Sequence, residues 1–210
     1  MTQYEILGMS EGTVFIVDDD TDLRASMVDL VEGAGLQAEG FNSAAAFLDA
    51  GKKSGDGCLV VDIHMPGMDG LELQQKLKDD RVAIPVIVVT GRGDVPKAVR
   101  ALKAGAVDFI EKPFSGELVL GSIHQALEIG RRIQEKEAFV GGARHNLGRL
   151  TAREREVLDR LVVGDSNKMI AAHLEISPRT VEVHRARVME KMQARSLSHL
   201  VRMALAIRGD

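Results

Sequence analysis

Residues 85–90 read PVIVVT, a short run rich in β-branched residues that stays apolar until its last position. A strand that is apolar at successive positions indicates a sheet covered on both faces. Similar runs occur at 13–18, 36–41, 58–62 and 107–111. Segments with helical apolar spacing alternate with them at about 22–34, 43–50, 69–80, 94–104 and 115–138. This alternation predicts βαβ crossovers, and hence an α/β fold with a doubly wound parallel sheet of five strands.

The last third of the chain has a different pattern. A charged stretch, RRIQEKE at 131–137, precedes Gly141-Gly142, which indicates a helix break and a linker over residues 131–148. Beyond it the pattern favours helices alone, and their start signals are Thr151 with Glu154, Ser177-Pro178 and Ser196. We therefore expect one domain at 12–130 and a small all-α domain of about four helices at 149–210.

The charges are divided unevenly between the two parts. Residues 1–130 carry 11 basic and 21 acidic side chains, whereas residues 131–210 carry 16 basic and 10 acidic ones, within a total of −4. An acidic first part suits a site for a divalent cation, and a basic second part suits contact with phosphate backbones. Neither inference is specific alone.

Composition also bears on the compartment. The single cysteine, Cys58, lies in an apolar run, so we interpret it as a core thiol in a reducing environment. Neither a membrane-spanning apolar stretch nor a signal-peptide pattern is present in the sequence. We expect a cytoplasmic protein with no membrane partner.

Two of the strand candidates end in carboxylates, the first in Asp18-Asp19-Asp20 and the third in Asp62. Ligands of an open parallel sheet bind beyond the carboxyl ends of its strands, so these acids should converge. Any one of them could instead cap a helix or be a solvated loop charge. Close carboxylates repel each other, however, and are tolerated mainly around a cation.

The same edge should carry a hydroxyl and an ammonium. The fourth strand candidate ends in Thr90, and Lys112 follows the fifth. Oxygen ligands for Mg²⁺, a carboxylate nucleophile and donors for phosphoryl oxygens are the groups that phosphoryl transfer requires.

Four motifs resemble those of response-regulator receiver domains: VDDD at 17–20, VVDIHMPGMDG at 60–70, VVTGRGD at 88–94 and AGAVDFIEKPF at 104–114. The resemblance implies a flavodoxin-like receiver in which Asp62 accepts a phosphoryl group from a sensor histidine kinase. It also implies a set of ligands and switch residues. Mg²⁺ would be held by Asp18, Asp19, Asp62 and the backbone carbonyl of His64; Thr90 and Lys112 would bind phosphoryl oxygens; Thr90 and Phe109 would form the switch.

Two of these residues have other interpretations. Phe109 could be an ordinary core aromatic of a strand. The ring of His64 fits the rim of the pocket better than a ligand position, because Mg²⁺ prefers oxygen.

Residues 170–184 read IAAHLEISPRTVEVH, the pattern of a short helix, a tight turn and a second helix. On a helical wheel Val181, Val188 and Met192 share the face that packs inward. The opposite face carries Arg179, Val183, Ala186, Arg187 and Glu190, with Thr180 and Glu182 at its flanks. Such a face can read base edges in a major groove, although it could also be a salt-bridged surface helix.

Residues 150–158, 164–192 and 196–205 resemble LuxR-type helix-turn-helix domains, and the two halves together resemble response regulators of the FixJ type. The resemblance implies a transcription regulator that binds double-stranded promoter DNA as a homodimer on phosphorylation, with RNA polymerase as a further partner. Lys168, Thr180 and His184 become candidates for phosphate contacts, and the last helix, from Ser196, becomes a dimerisation surface. His184 could equally be a core or capping histidine, and Lys168 a solvated lysine.

Two other functional classes share some of these features. A dehalogenase-type phosphatase also uses an aspartate at a strand end, but it needs a second acid two residues later, where this chain has His64. The receiver could also be joined to an RNA-binding or protein-docking module. The basic outward face of the second predicted helix argues for DNA.

Overall fold

A computed structural model describes residues 12–51, 57–91 and 95–209 of the chain. They form two compact units that divide between Gln134 and Glu135. None of the helices in these ranges combines the length and apolar character that crossing a bilayer requires.

The first unit is built on a five-stranded parallel sheet, which confirms the predicted fold class. Its strands are β1 (Thr13–Val17), β2 (Gln37–Phe41), β3 (Gly57–Asp62), β4 (Val86–Thr90) and β5 (Asp108–Glu111). They pair in the order β2-β1-β3-β4-β5. Because β1 lies beside β3 and the helices that follow these two strands pack on opposite faces of the sheet, the carboxyl ends of β1 and β3 are the expected ligand site.

Helices cover both faces of the sheet. They are α1 (Thr21–Gly33), α2 (Ala44–Asp49), α3 (Gly70–Asp79), α4 (Val95–Ala104) and α5 (Gly116–Gly148). Successive residues of a strand point to opposite faces, and β3 shows this directly: Leu59 and Val61 belong to one core cluster, Cys58 and Val60 to the other. The buried Cys58 confirms the core interpretation, and burial raises the pKa of its thiol to about 12.

The second unit contains α6 (Ala152–Val163), α7 (Asn167–Leu174), α8 (Pro178–Lys191) and α9 (Leu197–Arg208). The predicted start signals act as caps: Thr151 and Glu154 form a capping box on α6, and Ser177 and Ser196 cap α8 and α9. The four helices enclose one apolar core that includes Val157, Ile170, Val181, Val188 and Leu200.

The predicted helix break at Gly141-Gly142 is wrong, because α5 continues through both glycines to Gly148. Glycine in a helix costs only about 1 kcal/mol relative to alanine, and packing can offset that cost. Beyond the glycines, Ala143 is buried in the core of the second unit, and the Asn146 Nδ2 donates to the Met192 carbonyl at 3.2 Å. The segment that we predicted as a linker therefore contributes to that core.

Candidate functional site

Four polar side chains meet at the carboxyl edge of the sheet. Asp18 directly follows β1, Asp62 ends β3, Thr90 ends β4, and Lys112 follows β5. Asp18, Asp62 and Thr90 are each at most 5% exposed, so the site is largely removed from water. The convergence follows from the topology, since parallel strands present their carboxyl ends on one edge.

The acids form a close group. Asp18, Asp19 and Asp62 each offer a carboxylate oxygen within 4.8 Å of the others, with Asp19 on the exposed side. The Lys112 Nζ lies 2.8 Å from Oδ1 of Asp62 and 3.0 Å from Oδ2 of Asp18. One ammonium thus contacts two of the three carboxylates.

The pKa values of Asp62 and Lys112 both reflect this excess of negative charge. Burial raises the pKa of Asp62, and the neighbouring Asp18 adds to the rise, while Lys112 opposes it. Burial would lower the pKa of Lys112, but its hydrogen bonds to Asp62 and Asp18 outweigh that effect and raise it. We conclude that Lys112 stays charged and that the cost of crowded negative charge falls on Asp62.

Backbone groups fix the two buried acids. The Asp20 N–H donates to Oδ1 of Asp18 at 2.9 Å, and the His64 N–H donates to Oδ2 of Asp62 at 2.9 Å. Behind the second acid, a Cβ on Gly70 would lie 2.3 Å from the Asp62 carbonyl oxygen, so only glycine allows α3 to begin there. The third acid of the run, Asp20, instead caps α1 by accepting from the Asp22 and Leu23 N–H groups.

This donor set fits a divalent cation such as Mg²⁺. All three acids supply oxygen, the ligand atom that Mg²⁺ prefers, and together they carry more negative charge than Lys112 can balance. The ring of His64 is exposed and lies 3.3–3.4 Å from the Nζ of Lys97 on α4. That position agrees with a pocket rim, and the ligand role of the His64 carbonyl stays a prediction.

The two predicted switch residues lie on neighbouring strands. The Thr90 Oγ1 donates weakly to the Gly91 carbonyl at 3.4 Å. Phe109, on β5, is 39% exposed, so in this structure it is not a core aromatic. Residues 92–94 of the VVTGRGD motif lie outside the described residues.

In the second unit, α7, a turn and α8 form the predicted helix-turn-helix. Glu175 ends α7 in the left-handed conformation, at φ 54°, and Ser177 then caps α8 by accepting from the Thr180 N–H. The Arg185 guanidinium donates to the Asn167 Oδ1 at 3.2 Å, which ties α8 to the start of α7. The turn is therefore held by caps and a cross-helix hydrogen bond.

The two faces of α8 separate as the helical wheel predicts. Val181, Val188 and Met192 are fully buried. The exposed residues are Arg179, Thr180, Glu182, Val183, Ala186, Arg187 and Glu190. An open groove runs along Arg179, Glu182, Val183 and Ala186. Within the second unit, the outward face is thus a mixed, partly cationic surface that the other helices of that unit leave open.

The candidates for phosphate contacts lie in different surroundings. Lys168 is exposed in the first turn of α7. The Thr180 hydroxyl lies 2.8 Å from that of Ser177. His184 is half-buried, and its Nδ1 is buried without a hydrogen-bond partner in the described part of the chain. The structure therefore leaves both interpretations of His184 open.

Two structural features were not predicted from the sequence, the partner of Glu154 and the burial of Gln74. Glu154, predicted only as a cap, also forms a partly buried ion pair with Lys191 at 2.7 Å. Gln74 is buried on α3 beside Leu73 and Leu77. Its signal was available, because the spacing of Gly70, Leu73, Gln74 and Leu77 places all four on one helix face. The partner of Glu154 was not visible, since 37 residues separate it from Lys191.

Comparison with known proteins gives the family. The family model for the response regulator receiver domain matches residues 14–124, and that for bacterial regulatory proteins of the luxR family matches residues 148–204. The chain belongs to the response regulators. It is therefore a two-component transcription regulator with a receiver and a LuxR-type DNA-binding domain, and not an enzyme of the phosphatase class considered above.

Individual relatives match over most of their length. The chain is 50% identical to the transcriptional regulatory protein FixJ of Rhizobium meliloti (strain 1021), covering 94% of this chain and 97% of that protein. The solved structure of response regulator StyR is 40% identical and covers 91% of this chain and 97% of its own, with a TM-score of 0.80. Full-length FixJ from B. japonicum is 43% identical and covers 96% and 100%, with a TM-score of 0.57.

Proposed function

We propose that this response regulator is phosphorylated on Asp62 by a sensor histidine kinase, dimerises, and then binds promoter DNA to regulate transcription. The observation that carries the proposal is the group of Asp18, Asp19 and Asp62 at the carboxyl edge of the sheet, where Asp18 and Asp62 contact the Lys112 ammonium. Because its target is promoter DNA, the protein would act in the bacterial cytoplasm, with RNA polymerase as a further partner.

In the proposed transfer, a carboxylate oxygen of Asp62 attacks the phosphorus of a phosphohistidine on the kinase. The nitrogen–phosphorus bond breaks, the histidine leaves, and the phosphoryl group is joined to Asp62 as an acyl phosphate. Exclusion of water would limit hydrolysis of this acyl phosphate, because Asp62 is only 5% exposed. The Lys112 Nζ, 2.8 Å from Oδ1 of Asp62, would donate a hydrogen bond to one phosphoryl oxygen. The Thr90 hydroxyl would donate to a second phosphoryl oxygen.

The residues that would hold Mg²⁺ are Asp18, Asp19, Asp62 and the carbonyl of His64. When bound, the cation would neutralise the negative charge that gathers as the phosphoryl group approaches. The raised pKa of Asp62 supports this requirement, since burial among acids penalises the charged carboxylate that must act as the nucleophile.

For DNA binding, α8 would enter the major groove with its outward face. Arg179 and Arg187 would contact base edges, flanked by Glu182 and Val183, while Lys168, Thr180 and His184 would contact phosphates. The exposure of the outward residues and the burial of Val181 and Val188 support this orientation. A basic helix with one fully packed face and one free face suits a groove better than a protein core.

The dimer would form on the face of α4 and β5. Three exposed apolar side chains occur there, namely Val99, Leu102 and Phe109, at 39–44% exposure. Movement of Thr90 toward the phosphoryl group and inward rotation of Phe109 would reshape this face. Pairing of two receivers would hold two helix-turn-helix units on adjacent DNA half-sites. Avidity would then rise by about 10²–10⁴ without a new contact to DNA.

One experiment tests the phosphorylation step. The protein is incubated with acetyl phosphate and Mg²⁺, and its intact mass is measured. We expect one phosphoryl adduct on the wild type and none on Asp62→Asn. An adduct of equal yield on Asp62→Asn would place the modification elsewhere and overturn the assignment of Asp62.

A further inference from the structure

Gln74 is a buried polar residue between α3 and α4. It lies on α3 and is 5% exposed, beside Leu73 and Leu77. Its Nε2 donates to the carbonyl of Ala101 on α4 at 3.1 Å, across 27 residues of sequence. This bond is a direct polar link between the two helices.

The acceptor, the Ala101 carbonyl, lies near the C-terminal end of α4. The Ala101 carbonyl also accepts from the Ala106 N–H at 3.0 Å, the bond that closes the C-terminal end of α4. The chain then turns at Gly105, with φ +103°, and enters β5, which carries Phe109. Gln74 therefore holds the corner between α4 and the strand of the proposed switch aromatic.

The other end of α3 is joined to the phosphoacceptor. The Gly70 N–H donates to the Ile63 carbonyl at 3.2 Å, and a Cβ at Gly70 would touch the Asp62 carbonyl oxygen. The Asp69–Glu72 capping box makes this start of the helix rigid. A shift of the backbone after Asp62 must therefore carry α3 with it.

Stability alone does not explain the amide of Gln74. Its Oε1 is buried and has no hydrogen-bond partner in the described ranges. An unpaired buried acceptor is costly, and an apolar side chain of similar size would avoid that cost. A second contact joins α4 directly to the loop that follows Asp62, since the Nζ of Lys97 on α4 lies 3.3–3.4 Å from the ring of His64.

We propose that Gln74 is a positioning residue that transmits the state of Asp62 to the α4–β5 face, through α3 and the Ala101 carbonyl. The inference rests on the proposed function, because it takes Asp62 as the phosphoacceptor and the α4–β5 face as the dimer surface. Gln74 does not touch the reacting groups; it makes the position of the α4–β5 corner depend on that of the phosphoacceptor loop.

The test compares Gln74→Met with Gln75→Met in the full-length protein. Gln75 is exposed and its Nε2 donates to the Asp79 Oδ1 at 2.8 Å on the same helix, so it is a matched control. Each protein is phosphorylated with acetyl phosphate, the adduct is quantified by intact mass, and the dimer dissociation constant is measured by sedimentation before and after phosphorylation. The readout is the dimer dissociation constant before phosphorylation divided by that after phosphorylation. A purely structural role would not change this ratio.

We expect Gln74→Met to melt no lower than the wild type and to be phosphorylated to the same extent. Its ratio of dissociation constants should fall by about tenfold relative to the wild type and Gln75→Met. Gln74→Leu provides a second variant and should give the same loss. An unchanged ratio in both Gln74 variants, beside a responding wild type, overturns this inference alone. A wild type that is not phosphorylated, or whose dimerisation ignores phosphorylation, overturns the proposed function and this inference with it.

Discussion

The ammonium nitrogen of Lys112 lies 2.8 Å from Oδ1 of Asp62, so the proposed nucleophile is already paired with a cation in this structure. The same nitrogen lies 3.0 Å from Oδ2 of Asp18. Two of the three carboxylates that would hold Mg²⁺ are therefore shared with Lys112, and the two cations must compete for them.

This competition predicts that Lys112→Met binds Mg²⁺ more tightly than the wild type does. Removing a positive charge about 3 Å from two carboxylates leaves more negative charge for the metal, and we expect the Mg²⁺ affinity to rise by about tenfold. Isothermal titration calorimetry measures the affinity directly. The control is Lys76→Met, because Lys76 pairs with Asp80 on the surface. Equal affinity in all three proteins would show that Lys112 does not share the metal site.

Chelation of Mg²⁺ should abolish phosphorylation of Asp62. The crowded carboxylates of Asp18, Asp19 and Asp62 would repel the incoming phosphoryl group without a metal to neutralise them. Intact mass after incubation with acetyl phosphate in excess EDTA is the measurement, with added Mg²⁺ restoring the adduct as the control. An undiminished adduct in EDTA would contradict the role assigned to the metal.

Arginine and lysine variants of the second unit should separate base reading from backbone contact. Arg179→Ala and Arg187→Ala should each cost about 1–3 kcal/mol on the preferred operator and relax sequence preference. Lys168→Ala should weaken binding similarly on all sequences and reduce its salt dependence. Binding isotherms on cognate and scrambled duplexes at several salt concentrations provide the measurement. If both arginine variants discriminate as well as the wild type, α8 reads the DNA with other residues.

The ion pair of Glu154 and Lys191 predicts a pH dependence of stability. The hydrogen bond from Lys191, followed by that from the Thr151 N–H, lowers the pKa of Glu154 from 4.5 to about 2. Because the folded pKa is depressed, the charged Glu154 contributes its full stabilisation above about pH 4.5, and this contribution is lost as the pH falls toward 2.

Glu154→Gln should therefore lower the free energy of unfolding by about 1–3 kcal/mol at neutral pH. The difference from the wild type should narrow between about pH 5 and about pH 3. Urea unfolding across this range measures it. Glu156→Gln is the control, because its pair with Arg153 is on the surface and should be worth less than about 1 kcal/mol. A difference that stays constant with pH would contradict the assigned pKa.

The C-terminal part of α5 should stabilise the DNA-binding unit. A fragment of residues 135–210 keeps Ala143, Leu147 and the Asn146 bond to the Met192 carbonyl, all of which a fragment of residues 149–210 lacks. We expect the shorter fragment to be less stable by about 2–4 kcal/mol. Urea unfolding of the two fragments gives the comparison, and equal stability would mean that this part of α5 is dispensable.

The fragment of residues 135–210 also distinguishes control by dimerisation from control by masking, in which the receiver would cover α8. If phosphorylation acts by pairing two receivers, residues 135–210 should bind operator DNA weakly, because the fragment lacks the α4–β5 face of the receiver. If the unphosphorylated receiver instead covers α8, the fragment should bind strongly. A gel shift with the fragment and the full chain measures this. Sedimentation of the phosphorylated full chain should show dimers, and a monomer at saturating operator would contradict the dimer mechanism.

Much of the receiver could be predicted from local pattern. The runs of apolar β-branched residues indicated five strands, and the topology rules for βαβ units then brought Asp18, Asp62, Thr90 and Lys112 to one edge. Capping signals at Thr151, Ser177 and Ser196 gave three helix starts, because caps depend on residues only three positions apart. Local pattern failed at Gly141-Gly142, where the helix-breaking tendency of two glycines was outweighed by packing further along the chain.

By itself, the sequence determined the order of strands and helices, the residues at the strand ends and the caps, since these depend on periodicity and on neighbours within one turn. The tertiary structure decided which groups pair across the fold. Lys112 with Asp62, Gln74 with the Ala101 carbonyl and Glu154 with Lys191 all join residues from separate elements. The burial that raises the pKa of Asp62 and encloses the hydrogen bond from Gln74 exists only once those elements pack, because desolvation is a property of the surroundings and not of the residue.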